Sequence, residues 1–570
     1  NTRIIKSFGS IIVYKNVFVV FPVVCFIAIF IIQLLHDKCD LFANKKLIDK
    51  IKKILYILFH ILFSITFTGV FFIVIKHQES STDRILMLLS TGFFMLLILF
   101  LYWFIVKSRC CFPINKKTIG ILFAVFFCIQ LGLGMLLMVK PSWDFGHVFD
   151  EAVALTKNNS WEISNIRYFL RYPNNQFYLL TLTFLYKLLS IFHIGNYIAA
   201  GILTNIVLTD ISLVILCLAV KKLWGKKNAV FALLLSFLCP AYITYLPIFY
   251  TDTFPLPLMN TILLLYIVIL KETDRKKLLG YGILLGFSVF LGFELKATVV
   301  IVLIAAILHV FFVSGIKKTA VIAVSCLAFF GSIKIYDYAF ESSKMLDDSL
   351  YDTYNYPYTH WVMMGLRNPG GYNVHDYKFT KSFPTRQAKT DANIAQIKSR
   401  IAEMGFSGML DHLGQKIHYT WGDGAFFSQK LLERKPLTQG VVREIVTEHG
   451  AYFSVYQIIV NGIQYAIILL LSISGLAGIY KIKHDGEMDF ISFIRLSVFG
   501  LFVFLLIWES KSKYLVNFLP FIYFVAIDGV RFIFDKKEGI KHDTTRNRNS
   551  LLQRGSGIQG YPCTVKRTDA

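Results

Sequence analysis

The sequence predicts an all-α polytopic membrane protein, with about thirteen spanning helices, one helix lying in the interface and a small, mostly helical extracytoplasmic cap. Three observations carry this. Of the 570 residues 55% are hydrophobic and only 17% charged, with a mean hydropathy of +0.57, which excludes a water-soluble fold. Apolar runs of about 20 residues, the length that crosses the hydrocarbon core, recur along the chain. The net charge of +23 sits mainly in short Lys/Arg clusters between those runs. That is the positive-inside pattern of a membrane protein and not a phosphate-tracking face, so no nucleic acid is expected as a partner.

Taken in order, the apolar runs predict spans over 17–35, 54–75, 85–106, 118–139, 197–220, 228–248, 254–270, 278–294, 298–313, 319–336, 458–480, 491–508 and 515–532. The run from Gln176 to Ile194 is read as interfacial. Counting it as a span would put Lys221, Lys222, Lys226 and Lys227 on the same side as the loop after Val139 and break the alternation of basic loops. Lys187 and the aromatic content of the run suit the headgroup level. Segments 36–53, 107–117, 221–227, 271–277, 314–318, 481–490 and the tail after Phe534 then fall on the cytoplasmic side. The opposite face carries 140–197, the turn at Thr251 and Asp252, the turn at 294–296, the segment 337–457 and 509–514. A multi-pass plasma-membrane protein with its working face outside is expected. The chain opens at Asn1 without a cleavable-signal layout, so 17–35 is read as a retained span, which leaves Arg3, Lys6 and Lys15 outside.

Five regions follow: N-terminal membrane helices over 1–117, read as an accessory bundle, a membrane core over 118–336, an outer cap over 337–457, C-terminal membrane helices over 458–535 and a flexible polar tail over 536–570. The cap contains an amphipathic pattern with Ile394, Ile397, Ile401 and Met404 on one stripe, preceded by Pro384 and ended by Gly405. Cys25, Cys128, Cys217, Cys239 and Cys326 lie in apolar runs, Cys110 and Cys111 in a basic loop. No metal or redox spacing is present, and no disulfide is expected in the outer segments.

Candidate chemistry concentrates in the outer segments. Asp144 stands between Trp143 and Phe145, aromatic neighbours expected to shield its carboxylate partly from water, and reads as a general base or as a solvated loop charge. Asp150 and Glu151 compete for the role. Arg171, with Arg167, precedes Tyr172-Pro173-Asn174-Asn175, where two arginines near exposed amide groups suit an anion or sugar and the asparagines suit helix capping. Asp252 reads as a site residue or a cap for the following span. Lys296 reads as snorkelling or, like Lys511 and Lys513, as a partner for a lipid phosphate. His360, Arg367, Trp421 and Asp423 are polar and aromatic groups of the kind that bind sugar rings, although Gly422 and Gly424 also mark a turn.

A first outer loop with a base-like Asp, an interfacial helix opened by Tyr172-Pro173 and an outer turn with Asp252 together resemble the GT-C glycosyltransferases. That group includes protein mannosyltransferases, aminoarabinose transferases and oligosaccharyltransferases. Trp143-Asp144-Phe145-Gly146-His147-Val148 followed by Arg171-Tyr172-Pro173-Asn174-Asn175 is similar to Gram-positive members of it, and the likeness spans about residues 118–530. It implies a GT-C-like core with loop 140–196 as catalytic loop. It also implies a polyprenyl-phosphate sugar donor, a cell-envelope glycan or teichoic acid acceptor, and an inverting hexosyl transfer in which Asp144 deprotonates the acceptor hydroxyl. Lys513-Tyr514 with Pro520 is similar to the basic–Tyr–Pro pattern before the last span of the family, which makes Lys513 the first choice for the donor phosphate, beside Lys296, Arg171 and Asp252. Tyr172, Asn174, Asn175, His360, Arg367, Trp421 and Asp423 are the expected substrate contacts. The family's acidic pair matches Asp150-Glu151 as well, which keeps the base open. No metal-ligand cluster or cofactor motif emerges, and a divalent cation stays open because members of the family differ.

A transporter or flippase for lipid-linked glycans would call for inverted repeats and mid-span charges, of which Asp210 and Asp528 are the visible cases. A polysaccharide polymerase would call for arginine pairs in two outer loops. The topology has its own test: in a cysteine-free background, Asn174→Cys and Ser314→Cys are expected to label from opposite sides of the membrane. Labelling from one side would make 176–194 a span.

Overall fold

With no water in the hydrocarbon core, apolar segments of this length satisfy their backbone groups as helices, and the computed structural model is helical throughout. It describes residues 45–108, 116–158, 163–313, 316–343, 350–484 and 489–535. The expected span 17–35, Cys25, Cys110, Cys111 and the tail from 536 lie outside the described residues.

The principal helices are α1 (Lys45–Lys76), α2 (Ser81–Tyr102), α3 (Lys116–Leu136), α4 (Trp143–Asn158), α5 (Ile163–Arg171), α6 (Gln176–Ile191), α7 (Tyr197–Trp224) and α8 (Lys226–Phe237). They continue with α9 (Leu256–Lys271), α10 (Arg275–Leu295), α11 (Val300–Val313), α12 (Ile316–Ser342), α13 (Thr359–Gly365), α14 (Val374–Lys381), α15 (Arg386–Trp421), α16 (Phe453–His484) and α17 (Ile491–Ile507). The last helix, α18, is Ser512–Asp535. Among the described residues eight helices are long and apolar enough to cross a bilayer: α1, α2 with its extension to Lys107, α3, α7, α10, α12, α16 and α18. Three more, Leu256–Lys271, Ala297–Val310 and Ile491–Ile507, are apolar but shorter. The run expected over 228–248 stops at Phe237, because the Cys239-Pro240 turn interrupts it before Ala241–Thr244. Large apolar side chains such as Ile65, Phe72, Leu89 and Leu96 stand exposed on α1 and α2, an arrangement that lipid and not water stabilises.

Charge divides the bundle into two ends. Lys227 reaches the carbonyl of Val106 at 3.4 Å, Lys271 that of Lys222 at 3.1 Å, and Lys107 the Asp535 carboxylate at 3.1 Å. The Lys-rich segments thus gather at one end. At the other, His77 stacks on His418 with centroids 5.6 Å apart. The helix α6 starts and finishes at this second end. Tyr178 in its first turn donates to the Phe249 carbonyl, and α7, which follows it, packs Gly201 against the Phe249 ring and Ile202 against Gly134 in the last turn of α3.

Two helices from the expected accessory region are built into the bundle. Gly475 and Gly478 of α16 lie directly against Ser64 and His60 of α1, a close approach that a Cβ would block. Next to them Arg495, with no exposed surface, bonds Asp528 at 2.6 Å, Asp489 at 3.2 Å and His60 at 2.8 Å. Ser474 joins by donating to Asp528 at 2.8 Å, and Lys481 pairs with Asp489 at 3.2 Å.

The segment 350–452, within the region expected to form the cap, has a polar centre. The stripe of α15 that turns inward is Lys389, Asn393 and Arg400, whereas Ile401 is exposed, contrary to the apolar stripe expected from its sequence. The reason is the surface it meets, a layer of hydroxyls, carbonyls and one carboxylate. Asp376 takes two bonds from Arg400, at 2.7 and 2.9 Å, and one from Arg367 at 3.0 Å. Burial alone would raise this carboxyl, but the two arginines hold it below its ordinary range. The expected stop at Gly405 is a break in α15, where φ is +56°, and the helix resumes to Trp421. Removing the shared carboxylate with Asp376→Ala would strand the buried Arg400, at a cost of about 3–5 kcal/mol. The expected result is a lower thermal midpoint and protease cleavage confined to 350–452.

Candidate functional site

At the end of the bundle away from the Lys-rich clusters lies a cavity of about 540 Å³, lined by residues from the segment between α3 and α7, the turns before α9 and after α10, the segment 350–452 and the segment before α18. Its construction begins at Asp144. The strand-like segment before α4 is tied to 435–437 by Lys140 N–H to the Lys435 carbonyl at 2.9 Å and Leu437 N–H to the Met138 carbonyl at 3.0 Å. Trp143 takes a positive φ of 54° and lies 3.6 Å from the Arg434 guanidinium. Phe145 turns inward onto Phe249, with centroids 4.7 Å apart. Neither aromatic neighbour shields Asp144, which faces the cavity in the first turn of α4.

What holds Asp144 is a relay that sequence reading did not find. Tyr250 donates to Asn175 Oδ1 at 2.9 Å, Asn175 Nδ2 donates to the Tyr168 hydroxyl at 2.7 Å, and Tyr168 donates to Asp144 Oδ1 at 3.0 Å. Each donor in the chain faces the carboxylate. Burial, with the Asp144 charge beside it, pushes the Tyr168 phenol well above its ordinary value, so it stays a donor. His147 stacks on the Tyr168 ring at 4.5 Å and fixes its plane. Asn175 is therefore part of the relay and makes no side-chain capping bond to α6.

Asp252 likewise caps nothing: the first residue before α9 is Pro255, without a side-chain cap. Its buried carboxylate forms an ion pair with Lys296, whose ammonium also lies 5.1 Å from the Tyr514 ring. Glu509 accepts from the Tyr514 hydroxyl at 2.6 Å. Lys511 stands between the rings of Phe427 and Tyr372, at 5.0 and 5.7 Å, and Lys513 lies 5.5 Å from Tyr514. Among the described residues neither lysine has an ion-pair partner. Burial lowers the Lys511 ammonium. Trp361 and Trp508, stacked 5.7 Å apart with planes 7° from parallel, form an aromatic wall nearby.

Arg171, Tyr172, Asn174, Asn175, Asp252, Lys296, His360 and Lys513 all line the cavity with Asp144. Asp150 and Glu151 do not. Asp150 is exposed and Glu151 buried, about two helical turns along α4 from Asp144. Arg367 serves Asp376, and Trp421 is buried edge-on against Phe67 at 5.4 Å. Asp423 binds the N–H groups of Ala425 and Phe427 at 3.0 and 2.8 Å and the Ser512 hydroxyl at 2.8 Å. It thereby holds Phe426 and Phe427, both at positive φ, so that the Phe427 ring faces Lys511. The residues missed, among them Tyr168, Tyr250, Trp361, Tyr372 and Glu509, belong to ordinary aromatic runs, except that Glu509-Ser510-Lys511-Ser512-Lys513 alternates charge with serine.

Among the described residues, Glu433, Glu448 and His449 are close enough to share a cation. They lie outside the cavity lining, with Glu433 bonded to His449 at 2.6 Å and Glu448 to Lys430 at 3.1 Å. The cavity carboxylates Asp144, Asp252 and Glu509 are engaged by Tyr168, Lys296 and Tyr514.

A family model described as a conserved hypothetical integral membrane protein matches residues 44–529, and the chain belongs to that family. No curated protein and no solved structure matches it.

His360 supplies a pH test of the cap. Thr380 gives its single proton to Asn393 at 3.0 Å, so its oxygen accepts from His360 Nδ1–H at 2.7 Å. Burial pushes this imidazole down to about 3 from an ordinary 6.5. Between those values the unfolded chain binds more protons than the folded one, so stability falls as pH falls through the window. Acidification from about pH 7 to about pH 4 is expected to lower the thermal midpoint, and His360→Gln to flatten that dependence.

Proposed function

We propose that this integral membrane protein is a glycosyltransferase that moves a sugar from a polyprenyl-phosphate donor to a cell-envelope glycan or teichoic acid, with its cavity open to the outer face of the plasma membrane. The observation that carries the reading is one cavity holding both halves of the required chemistry: a carboxylate fixed by Tyr168 and two lysines without carboxylate partners. With one oxygen of Asp144 fixed by the relay, the other takes the proton from an acceptor hydroxyl. The hydroxyl oxygen attacks the anomeric carbon, the bond from that carbon to the phosphate oxygen breaks with its electron pair, and the configuration inverts. Lys511 and Lys513 offset the charge gathering on the departing polyprenyl phosphate. Lys511, which has two rings beside it where Lys513 has one, takes first place at the phosphate.

A flippase would use the same lysines and make no demand on Asp144. Of the two mid-span acids that favour transport, Asp528 is taken up by Arg495 at 2.6 Å, whereas Asp210 keeps a buried carboxylate oxygen without a hydrogen-bond partner. Asp144→Asn is expected to lower transfer by about 10²-fold or more, while Asp150→Asn and Glu151→Gln leave it unchanged. Cell-wall glycan composition and the pool of lipid-linked sugar are the readouts. Full decoration with a normal lipid pool in Asp144→Asn sinks the transferase reading.

A further inference from the structure

We infer that the tyrosine-lined wall around Arg171 is a second anion subsite, separate from Lys511 and Lys513, which takes a negatively charged group on the acceptor glycan. The shared chemistry is an oxyanion, a sugar carboxylate or a phosphate ester. The inference rests on the transferase reading for the word acceptor; the anion site itself rests on the geometry.

The Arg171 guanidinium lies 5.4, 5.5 and 6.0 Å from the rings of Tyr377, Tyr356 and Tyr172. Ring contacts of this kind hold a guanidinium without using up its N–H donors, the part that recognises oxyanions. One edge N–H donates to the Tyr377 hydroxyl at 2.7 Å. The Nε group is buried without a hydrogen-bond partner, and among the described residues no carboxylate forms an ion pair with Arg171. A buried donor left unsatisfied on a cation is a standing cost that a bound anion removes.

The surroundings add positive charge. Lys389 faces Tyr356 at 5.7 Å and bonds only the backbone carbonyls of Thr353 and Asn355. Arg167 lies 5.6 Å from the Tyr354 ring. Neither has an ion-pair partner among the described residues.

Arg171 and Lys511 are set on different rings of the cavity wall: Lys511 faces Tyr372 at 5.7 Å and Arg171 faces Tyr377 at 5.4 Å, with the two ring centroids 6.5 Å apart. The arginine sits one helical turn from Tyr168, the residue that holds Asp144. An anion at Arg171 is therefore near the hydroxyl that Asp144 would deprotonate, which assigns it to the acceptor.

The test uses the full chain in lipid nanodiscs and follows tryptophan fluorescence, with glucuronate, glycerol 3-phosphate, glucose and undecaprenyl phosphate as probes. Glucuronate or glycerol 3-phosphate is expected to bind at least tenfold tighter than glucose, and whichever does so identifies the source of the charge. Arg171→Gln should abolish that preference and change undecaprenyl phosphate affinity less than twofold, with Lys511→Ala doing the reverse. Arg171→Lys, which keeps the charge and loses the fork, should give an intermediate preference and guards against misfolding of the first variant. Equal binding of glucose and both anions overturns the inference, as does an Arg171→Gln variant that loses undecaprenyl phosphate as Lys511→Ala does. Asp144-dependent transfer without anion preference overturns this inference alone. Anion preference without Asp144-dependent transfer overturns the transferase reading alone.

Discussion

The architecture of the cavity depends on a charge cluster at the far end of the bundle. Arg495 has no exposed surface and is bonded to Asp528, Asp489 and His60, which tie α17 to α18, to the start of its own helix and to α1. In an apolar bundle most side-chain contacts tolerate a small axial slip. A buried ion cluster does not, because a slip that separates Arg495 from Asp528 leaves an uncompensated charge, at about 3–5 kcal/mol. The two helices whose register is fixed this way are those that carry Trp508, Glu509, Lys511, Lys513 and Tyr514 to the cavity. A cluster near the Lys-rich end thus positions the residues at the other.

The sequence made the membrane class legible, and grouped Asp144 with Arg171 and Tyr172, because both are local. Spanning length and basic punctuation are properties of contiguous residues, and Asp144, Arg171 and Tyr172 lie within one loop that folds back on itself through α5. The same locality explains the misreadings. Asn175 and Asp252 precede helices and look like caps, yet their partners are Tyr168 and Tyr250 in one case and Lys296 in the other, groups that adjoin them only after folding. Ile394, Ile397 and Ile401 look like a buried stripe because apolar residues usually are. In a cap centred on Asp376, the burial preference passes to Arg400, Asn393 and Lys389 instead. Trp421 and Asp423 read as sugar contacts by residue type. One fills the contact between α15 and α1, and the other holds the turn that presents Phe427 to Lys511.

The cations at this end of the molecule sort by partner, and the sorting separates scaffold from site. Lys416 is buried, donates to the Gly365 carbonyl at 2.8 Å and lays its stem on Gly370. Burial pushes its ammonium down to about 8. It holds the cap loop and faces no ligand. Lys296 has its charge cancelled by Asp252 and serves to join the turn before α9 to the end of α10.

Lys511 and Arg171 differ from both in having aromatic faces for neighbours and no carboxylate among the described residues. A ring face attracts a cation weakly, at about 0.5–2 kcal/mol, enough to fix its position and too little to neutralise it. That leaves most of the charge for a ligand. The pairing of types also matters. A lysine is a compact point charge suited to a tetrahedral lipid phosphate approached from any side, whereas an arginine edge is a planar fork that demands orientation. A cavity that places a point charge on the donor side and a fork beside the base constrains the acceptor more tightly than the donor, and the acceptor is the substrate whose hydroxyl must meet Asp144 in one geometry.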